Sequence, residues 1–245
     1  MKILVMGSTQ GDLNIVNEYI YKSGADIVLC TGDLGIFYRK EDFKKLPKTF
    51  KNNNFCDYLE GKKSFDKPVY TVRGPHDNLS LCRKLANNDI HINNFTLIPD
   101  GNTVSIKSTT EDGLTGKTIT VGGVGGSYSP KHYHSNKLTG NKKRHFTFKD
   151  IKKLLNNHIN ILLLHDLVGD NNRKKIIFSD EVFSLIDSCR PFYCIVGKYH
   201  WWSHSKLSSS NLVTVPFAEK GYLLIDTNNE WNAEGIRFDL DIGGR

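Results

Sequence analysis

Carboxylates and imidazoles fall in this chain within short polar runs, each closing an apolar segment. The runs are Gly7-Ser8-Thr9-Gln10-Gly11-Asp12, Gly32-Asp33-Leu34, Gly74-Pro75-His76-Asp77, His165-Asp166 and Gly197-Lys198-Tyr199-His200. These groups ligate divalent cations and carry protons near neutral pH. A lone Gly-Asp or a lone histidine after a strand is ordinarily a turn residue or a satisfied ring. Five such tips in one chain predict a common crevice, because ligand and catalytic groups of α/β sheets collect outside the carboxyl ends of strands.

The apolar segments are of the kind that would position such tips. Lys2 to Met6 is an aliphatic strand closed by Gly7-Ser8, and Leu13, Ile15, Val16, Tyr19 and Ile20 then recur at helical spacing. Asp26 to Cys30 is a second strand, followed by a mixed-charge helical stretch from Glu41 to about Leu59. Pro68 to Val72 is a third strand, with a helix over Ser80 to Ala86 behind it. Strand, loop and helix repeated three times predict a parallel or mixed sheet covered by helices.

Past residue 90 the pattern changes. Thr96 to Ile98, Thr103 to Ile106 and Thr118 to Gly122 read as short strands of an antiparallel region separated by Asp-Gly turns. A loop rich in Gly, His and Tyr runs from Gly122 to His134. Phe148 to Leu155 reads as a helix, Ile161 to Leu164 as a buried strand, Asp180 to Ser188 as a helix capped by Ser179, and Phe192 to Val196 as another strand. Leu212 to Val215, Tyr222 to Ile225 and an edge at Ile236 to Phe238 complete the prediction. Without a linker, repeat or low-complexity tract, residues 1–245 read as one domain.

The order Gly-Asp, Gly-x-His-Asp, an apolar strand ending in His, then Gly-x-x-His resembles the calcineurin-like metallophosphoesterases. Their motifs run Asp-x-His, Gly-Asp, Gly-Asn-His-Asp/Glu, His and Gly-His-x-His. Four further runs resemble the RNA lariat debranching enzymes and their splicing-associated relatives. These are Gly7 to Leu13, Leu29-Cys30-Thr31-Gly32-Asp33, Val124-Gly125-Gly126-Ser127-Tyr128 and Leu164-His165-Asp166-Leu167. The resemblance covers roughly residues 1–205 and implies an α/β sandwich of two mixed β-sheets flanked by helices.

It also implies two adjacent divalent cations bridged by a carboxylate. Carried over by position, Asp33 is the bridging ligand, His165 a ligand of one metal and His200 a ligand of the other. His76, followed by Asp77, matches the histidine that stabilises the transition state or protonates the leaving group. The departures are as informative. Ser8 stands where the family has Asp, or Cys in debranching enzymes, and Gln10 where it has the first His. Pro75 replaces the Asn ligand, and Lys198 the first His of Gly-His-x-His. A protonated lysine cannot coordinate, so Lys198 is expected to stand in for a metal's charge by pairing with Asp33, or else to point to solvent. Asp12, Asp77, Asp166 or His204 could move in as ligands. Plainer roles are a helix cap for Asp12, an orienter of His76 for Asp77 and a surface position for His204.

Lys and Arg number 33 against 26 Asp and Glu, a formal net charge of +7, which is one compositional hint of a polyanion partner. Tyr128, Lys131 and His132, with Lys142, Lys143 and Arg144, combine rings for base stacking with cations for phosphates. Trp201-Trp202 could stack on a nucleobase or pack onto the body of the domain. Five cysteines without a C-x-x-C pair suit reduced thiols in the cytoplasm or nucleus. The short apolar N-terminus predicts no secretion, and no apolar run approaches the roughly 20 residues of a membrane span.

Three readings follow. The first is a catalytically weak or inactive relative of debranching enzymes, a pseudoenzyme, that binds RNA or a phosphorylated partner and holds Mn, Fe or Zn at partial occupancy or not at all. The second is a working metal-dependent phosphodiesterase or phosphatase with one metal or unusual ligands. The third is a protein-interaction scaffold with a vestigial site.

Overall fold

The computed structural model describes residues 1–39, 41–42, 46–50, 53–109, 115–167, 171–172, 175–176, 180–199 and 201–238. The N-terminal strands are β1 (Lys2–Met6), β2 (Ile27–Cys30), β3 (Val69–Thr71) and β4 (Phe95–Leu97). The middle strands are β5 (Asn102–Thr109), β6 (Thr115–Val124), β7 (Ile161–Leu164), β8 (Asn171–Asn172) and β9 (Lys175–Ile176). Last come β10 (Tyr193–Val196), β11 (Ser203–Leu207), β12 (Ser210–Thr214), β13 (Gly221–Asp226) and β14 (Asn232–Arg237). The helices are α1 (Asn14–Ser23), α2 (Phe55–Leu59), α3 (Leu79–Ala86), α4 (Pro130–Tyr133), α5 (Phe148–Leu154) and α6 (Asp180–Cys189).

Two mixed six-stranded sheets face each other, in the orders β14-β13-β1-β2-β3-β4 and β11-β12-β10-β7-β6-β5, while β8 and β9 pair separately. β1 to β4 are mutually parallel, as are β6, β7, β10 and β12; antiparallel strands lie toward the edges. Alternation along the strands sorts the side chains into three apolar layers. Ile3 and Val5 of β1 meet Ile161, Leu163 and Ile195 between the sheets. Leu4 and Met6 point the other way, under Val16 and Ile20 of α1 and Leu81 of α3. Leu162, Leu164 and Val196 pack under Ile151 and Leu154 of α5 and Leu185 of α6. The result is the α/β sandwich of two mixed sheets flanked by helices that the resemblance implies. No helix among the described residues is long and apolar enough to cross a membrane. The five cysteines are buried free thiols, and burial pushes Cys30 and Cys194 up to about 12.

Several boundaries differ from the sequence reading. Of the helix expected from Glu41 to about Leu59, the described residues hold the α-helix α2; ahead of it Pro47 and the asparagines at 53 and 54 oppose helical bonding. Residues 95–97 do not join an antiparallel region; coming after α3, they lie parallel to β3. β11 lacks an apolar pattern because it is a largely exposed edge. The last strand lies at 232–237, ahead of the expected 236–238. The expected cap Ser179 lies outside the described residues. Asp12 serves the start of α1 from one position further out, accepting from the Asn14 N–H, while Asn54 accepts from the Leu13 N–H.

What shapes the ends of β2 and β3 is Asp77. Its carboxylate accepts backbone N–H groups of Asp33, Gly35, Ile36 and Gly74, at 2.7 to 3.1 Å, and so ties the loop after β2 to the loop after β3. Burial, then the neighbouring Asp33 charge, push Asp77 up to about 6 in spite of these donors. Asp77→Ala leaves these buried donors without their acceptor and should cost about 3 kcal/mol or more in urea unfolding; a loss below about 1 kcal/mol would mean the loops hold without it.

Candidate functional site

The crevice is assembled from strand ends of both sheets. Asp33 sits in the left-handed region (φ 56°), as does Gln10 (φ 51°), conformations that non-glycine residues adopt at a cost. The Asp33 carbonyl accepts from the Ser8 hydroxyl (2.9 Å) and from the Gln10 N–H (3.2 Å), so Ser8 is spent on loop geometry. A Cβ on Gly74 would collide with the Asp33 carboxylate, so this close approach requires glycine.

Asp33 and His76 form the tightest pair. The Asp33 Oδ1 accepts the His76 backbone N–H at 3.0 Å, and Oδ2 lies 2.9 Å from His76 Nδ1. The hydrogen bond to Asp33 raises the His76 imidazole above its ordinary value, against the effect of burial. Burial pushes Asp33 upward, but the charge of His165 and the contacts with His76 bring it below the usual carboxylate range. The orienter of His76 is therefore Asp33 and not Asp77, whose oxygens face backbone. The 3% exposed His165 comes from the other sheet: its Nδ1 lies 2.7 Å from the Thr31 carbonyl, and its Nε2 3.7 Å from Asp33 Oδ2. A carbonyl can only accept, so Nδ1 carries a proton, and Nε2 turns toward Asp33.

Lys198 does not pair with Asp33 as expected. Its ammonium lies 2.6 Å from Asp166 Oδ2. Asp166 is 2% exposed and also accepts the Tyr128 and Leu167 N–H groups, both at 2.8 Å. The reason is availability: Asp33 is already engaged by His76, while Asp166 is a buried anion that needs a cation. The Lys198 side chain stays 41% exposed, so its charge is also open to solvent.

The surrounding loops differ in part from the sequence reading. Arg73 and Asp100 form a buried pair at 2.7 Å, and the Arg73 guanidinium also donates to the Arg144 and His145 carbonyls. Only the place of Arg73, directly ahead of Gly74-Pro75-His76, could have signalled this; Asp100 reads as a turn residue. Lys142, Lys143 and Arg144 thereby lie on a 3-10 turn anchored to the crevice wall, and the Arg144 charge acts on His76. Lys131 and His132 lie on α4, where the His132 ring is 5.4 Å from that of His145. The Tyr128 ring packs against Tyr133 and Phe146 as part of an apolar layer. Trp201 packs beside Tyr199 and Trp202 beside the inter-sheet layer, so both pack onto the body of the domain. His204 sits on β11, bonded to Asn211. His200 lies outside the described residues.

Asp33 and His165 are thus the metal-type donors that the described residues bring together. No group of three or more His, Cys, Asp or Glu placed to hold an ion occurs among them. Around them Pro75 carries no donor atom, Ser8 is occupied and Lys198 is a cation, so the described residues do not fit a two-metal centre.

The comparisons agree with this architecture. No curated protein matches in sequence. The structure of TT1561 of Thermus thermophilus superposes with a TM-score of 0.59 at 19% identity, over 96% of this chain and 98% of that one. GAP50, the anchor in the inner membrane complex of Plasmodium, gives 0.55 at 11% identity, over 98% and 89%. The calcineurin-like phosphoesterase YfkN from Bacillus subtilis gives 0.52 at 13% identity, over 100% and 92%. At such identities the likeness is one of fold. The family profile of the calcineurin-like phosphoesterases, however, matches residues 1–234. The chain belongs to the calcineurin-like phosphoesterase family.

Proposed function

We propose that this chain is a catalytically weak or inactive relative of the lariat debranching enzymes, which binds RNA or a phosphorylated ligand at the crevice. The observation that carries the proposal is the Lys198 ammonium on Asp166, at the place where the family's last motif has a ligating histidine. A fixed cation there supplies attraction for a phosphate without polarising it as a metal does. His76 supplies a second charge, kept by Asp33. The Lys142 to Arg144 turn extends the cationic surface along the path of a polyanion. The GAP50 fold-mate, described as an anchor, supports the idea that this architecture serves roles other than turnover.

One observation favours the second reading, of a single-metal phosphoesterase: His165 Nε2 and Asp33 Oδ2 face one another across 3.7 Å. Elemental analysis after expression in metal-supplemented medium separates the two. The proposal expects well under one Mn, Fe or Zn per chain and no hydrolysis of a bis-aryl phosphate or a branched RNA. Stoichiometric metal, with turnover abolished by Asp33→Ala, would sink it. Combining Gln10→His, Pro75→Asn and Lys198→His should raise metal content if those positions are what limits it.

Anion binding gives two further tests. A raised imidazole stays charged above the ordinary value of about 6.5 and loses its proton as pH climbs through the folded value. Affinity for inorganic phosphate should therefore hold below that value and fall above it, and the fall should disappear in His76→Gln. For single-stranded RNA, Lys142→Ala with Lys143→Ala should reduce the slope of log affinity against log salt by roughly 1.4, as expected for two lost phosphate contacts. An unchanged slope would remove this turn from the interface.

A further inference from the structure

A large cavity among the described residues lies at the open edge of the sandwich. It has a volume of about 720 Å³, within the usual range for small-molecule sites. Its walls are the hairpin of β11 and β12 from one sheet and that of β13 and β14 from the other, with Tyr193 at the beginning of β10. The crevice sits at the opposite, carboxyl end of β10.

We infer that this cavity is a nucleoside-binding site, taking an uncharged heteroaromatic base with its sugar. Two of the chain's three tryptophans line it. The Trp202 indole, just ahead of β11, lies against Gly235 of β14, where an added Cβ would be 3.5 Å from the ring. Trp231 lies in the turn that leads into β14. Its ring is stacked on Phe192, with centroids 4.5 Å apart and planes 19° from parallel, and its carbonyl accepts the Tyr193 hydroxyl at 2.6 Å. The aromatic surfaces are thus fixed in place before any ligand arrives, which lowers the ordering cost of binding.

Polar groups supply the second half of the recognition. Asn229 and Asn232 lie on the same wall, and neither side-chain amide is engaged in a hydrogen bond among the described residues. An amide offers a donor and an acceptor side by side, the pattern that the edge of a base presents. Asn211 is different, since its amide is committed to His204 and the Phe192 carbonyl. Glu230 and Arg237 contribute one charge of each sign, so the lining carries no field that selects for a phosphate. A planar ring with matched donors and acceptors suits such a lining; a phosphate suits the cationic rim of the crevice instead. The cavity would hold its ligand whether or not the crevice turns over substrate.

Tryptophan fluorescence of the full chain tests this, with adenosine and uridine as probes and maltotriose as the competing chemistry. Saturable quenching by at least one nucleoside is expected. It should weaken tenfold or more both in the double variant Asn229→Ala, Asn232→Ala and in Gly235→Leu, whose side chain fills the space beside Trp202. His76→Gln should leave it unchanged, which separates this site from the phosphate crevice. Both asparagines are exposed, Asn229 in the turn and Asn232 at the first position of β14, so that variant decides the matter if Gly235→Leu fails to fold. Absence of nucleoside binding, binding of maltotriose alone, or nucleoside binding indifferent to the asparagine variant would each overturn the inference.

Discussion

Four backbone N–H groups from two loops converge on the carboxylate of Asp77, and the crevice owes its shape to that convergence. A buried carboxylate is costly to desolvate, and Asp77 remains partly so: burial and the nearby charge of Asp33 still hold it near 6. The gain is positional. By fixing the Asp33 N–H, Asp77 keeps Asp33 in the left-handed region, and only from there does the Asp33 carboxylate lie over Gly74 within reach of His76. The acid that looks catalytic by adjacency to His76 is a scaffold residue, and the acid one strand away is the one that touches it.

Charges inside the site come in neutralised pairs, His76 with Asp33, Arg73 with Asp100 and Lys198 with Asp166. Each of these three carboxylates has found a cation from a different strand end, whereas Asp77 is satisfied by backbone N–H groups alone. The excess positive charge of the chain therefore does not accumulate among these pairs. It is expressed on exposed segments such as the Lys142 to Arg144 turn, which Arg73 tethers through the carbonyls of residues 144 and 145. A long-range field on the rim thus steers an anion toward the short-range donors that Lys198 and His76 present beneath it.

Much of this was legible in the residues. Strand ends with polar tips pointed to the sheets and the crevice because aliphatic runs closed by Gly-Asp or His have few other uses in an α/β chain. The resemblance in motif order singled out Asp33 and His165 as ligands of one metal, and the substituted positions at 8, 10, 75 and 198 were visible as residue types. Partner choice was not legible. Whether Lys198 meets Asp33 or Asp166 depends on which carboxylate is already saturated, a question of packing between segments far apart in the chain. β11 escaped notice because Ser-His-Ser-Lys-Leu is held as a strand by its neighbour β12, not by its own side-chain pattern. The stretch from 41 to 59 misled in the other direction, since mixed charge resembles a helix face but Pro47 and the asparagines oppose it.

The contact between Gly197 and Thr31 carries a mechanical consequence. Thr31 follows β2 of one sheet, Gly197 follows β10 of the other, and the absence of a side chain at 197 is what lets the Thr31 hydroxyl and methyl occupy that space. The same threonine holds His165 by its carbonyl. At this end the sandwich is therefore seated hard, with close-packed atoms and a hydrogen bond at the seam, whereas at the β11–β14 edge it gapes around a cavity. Such a body resists sliding of one sheet over the other where the imidazoles are set. Adjustment to a bulky ligand at the crevice falls to the loops above it.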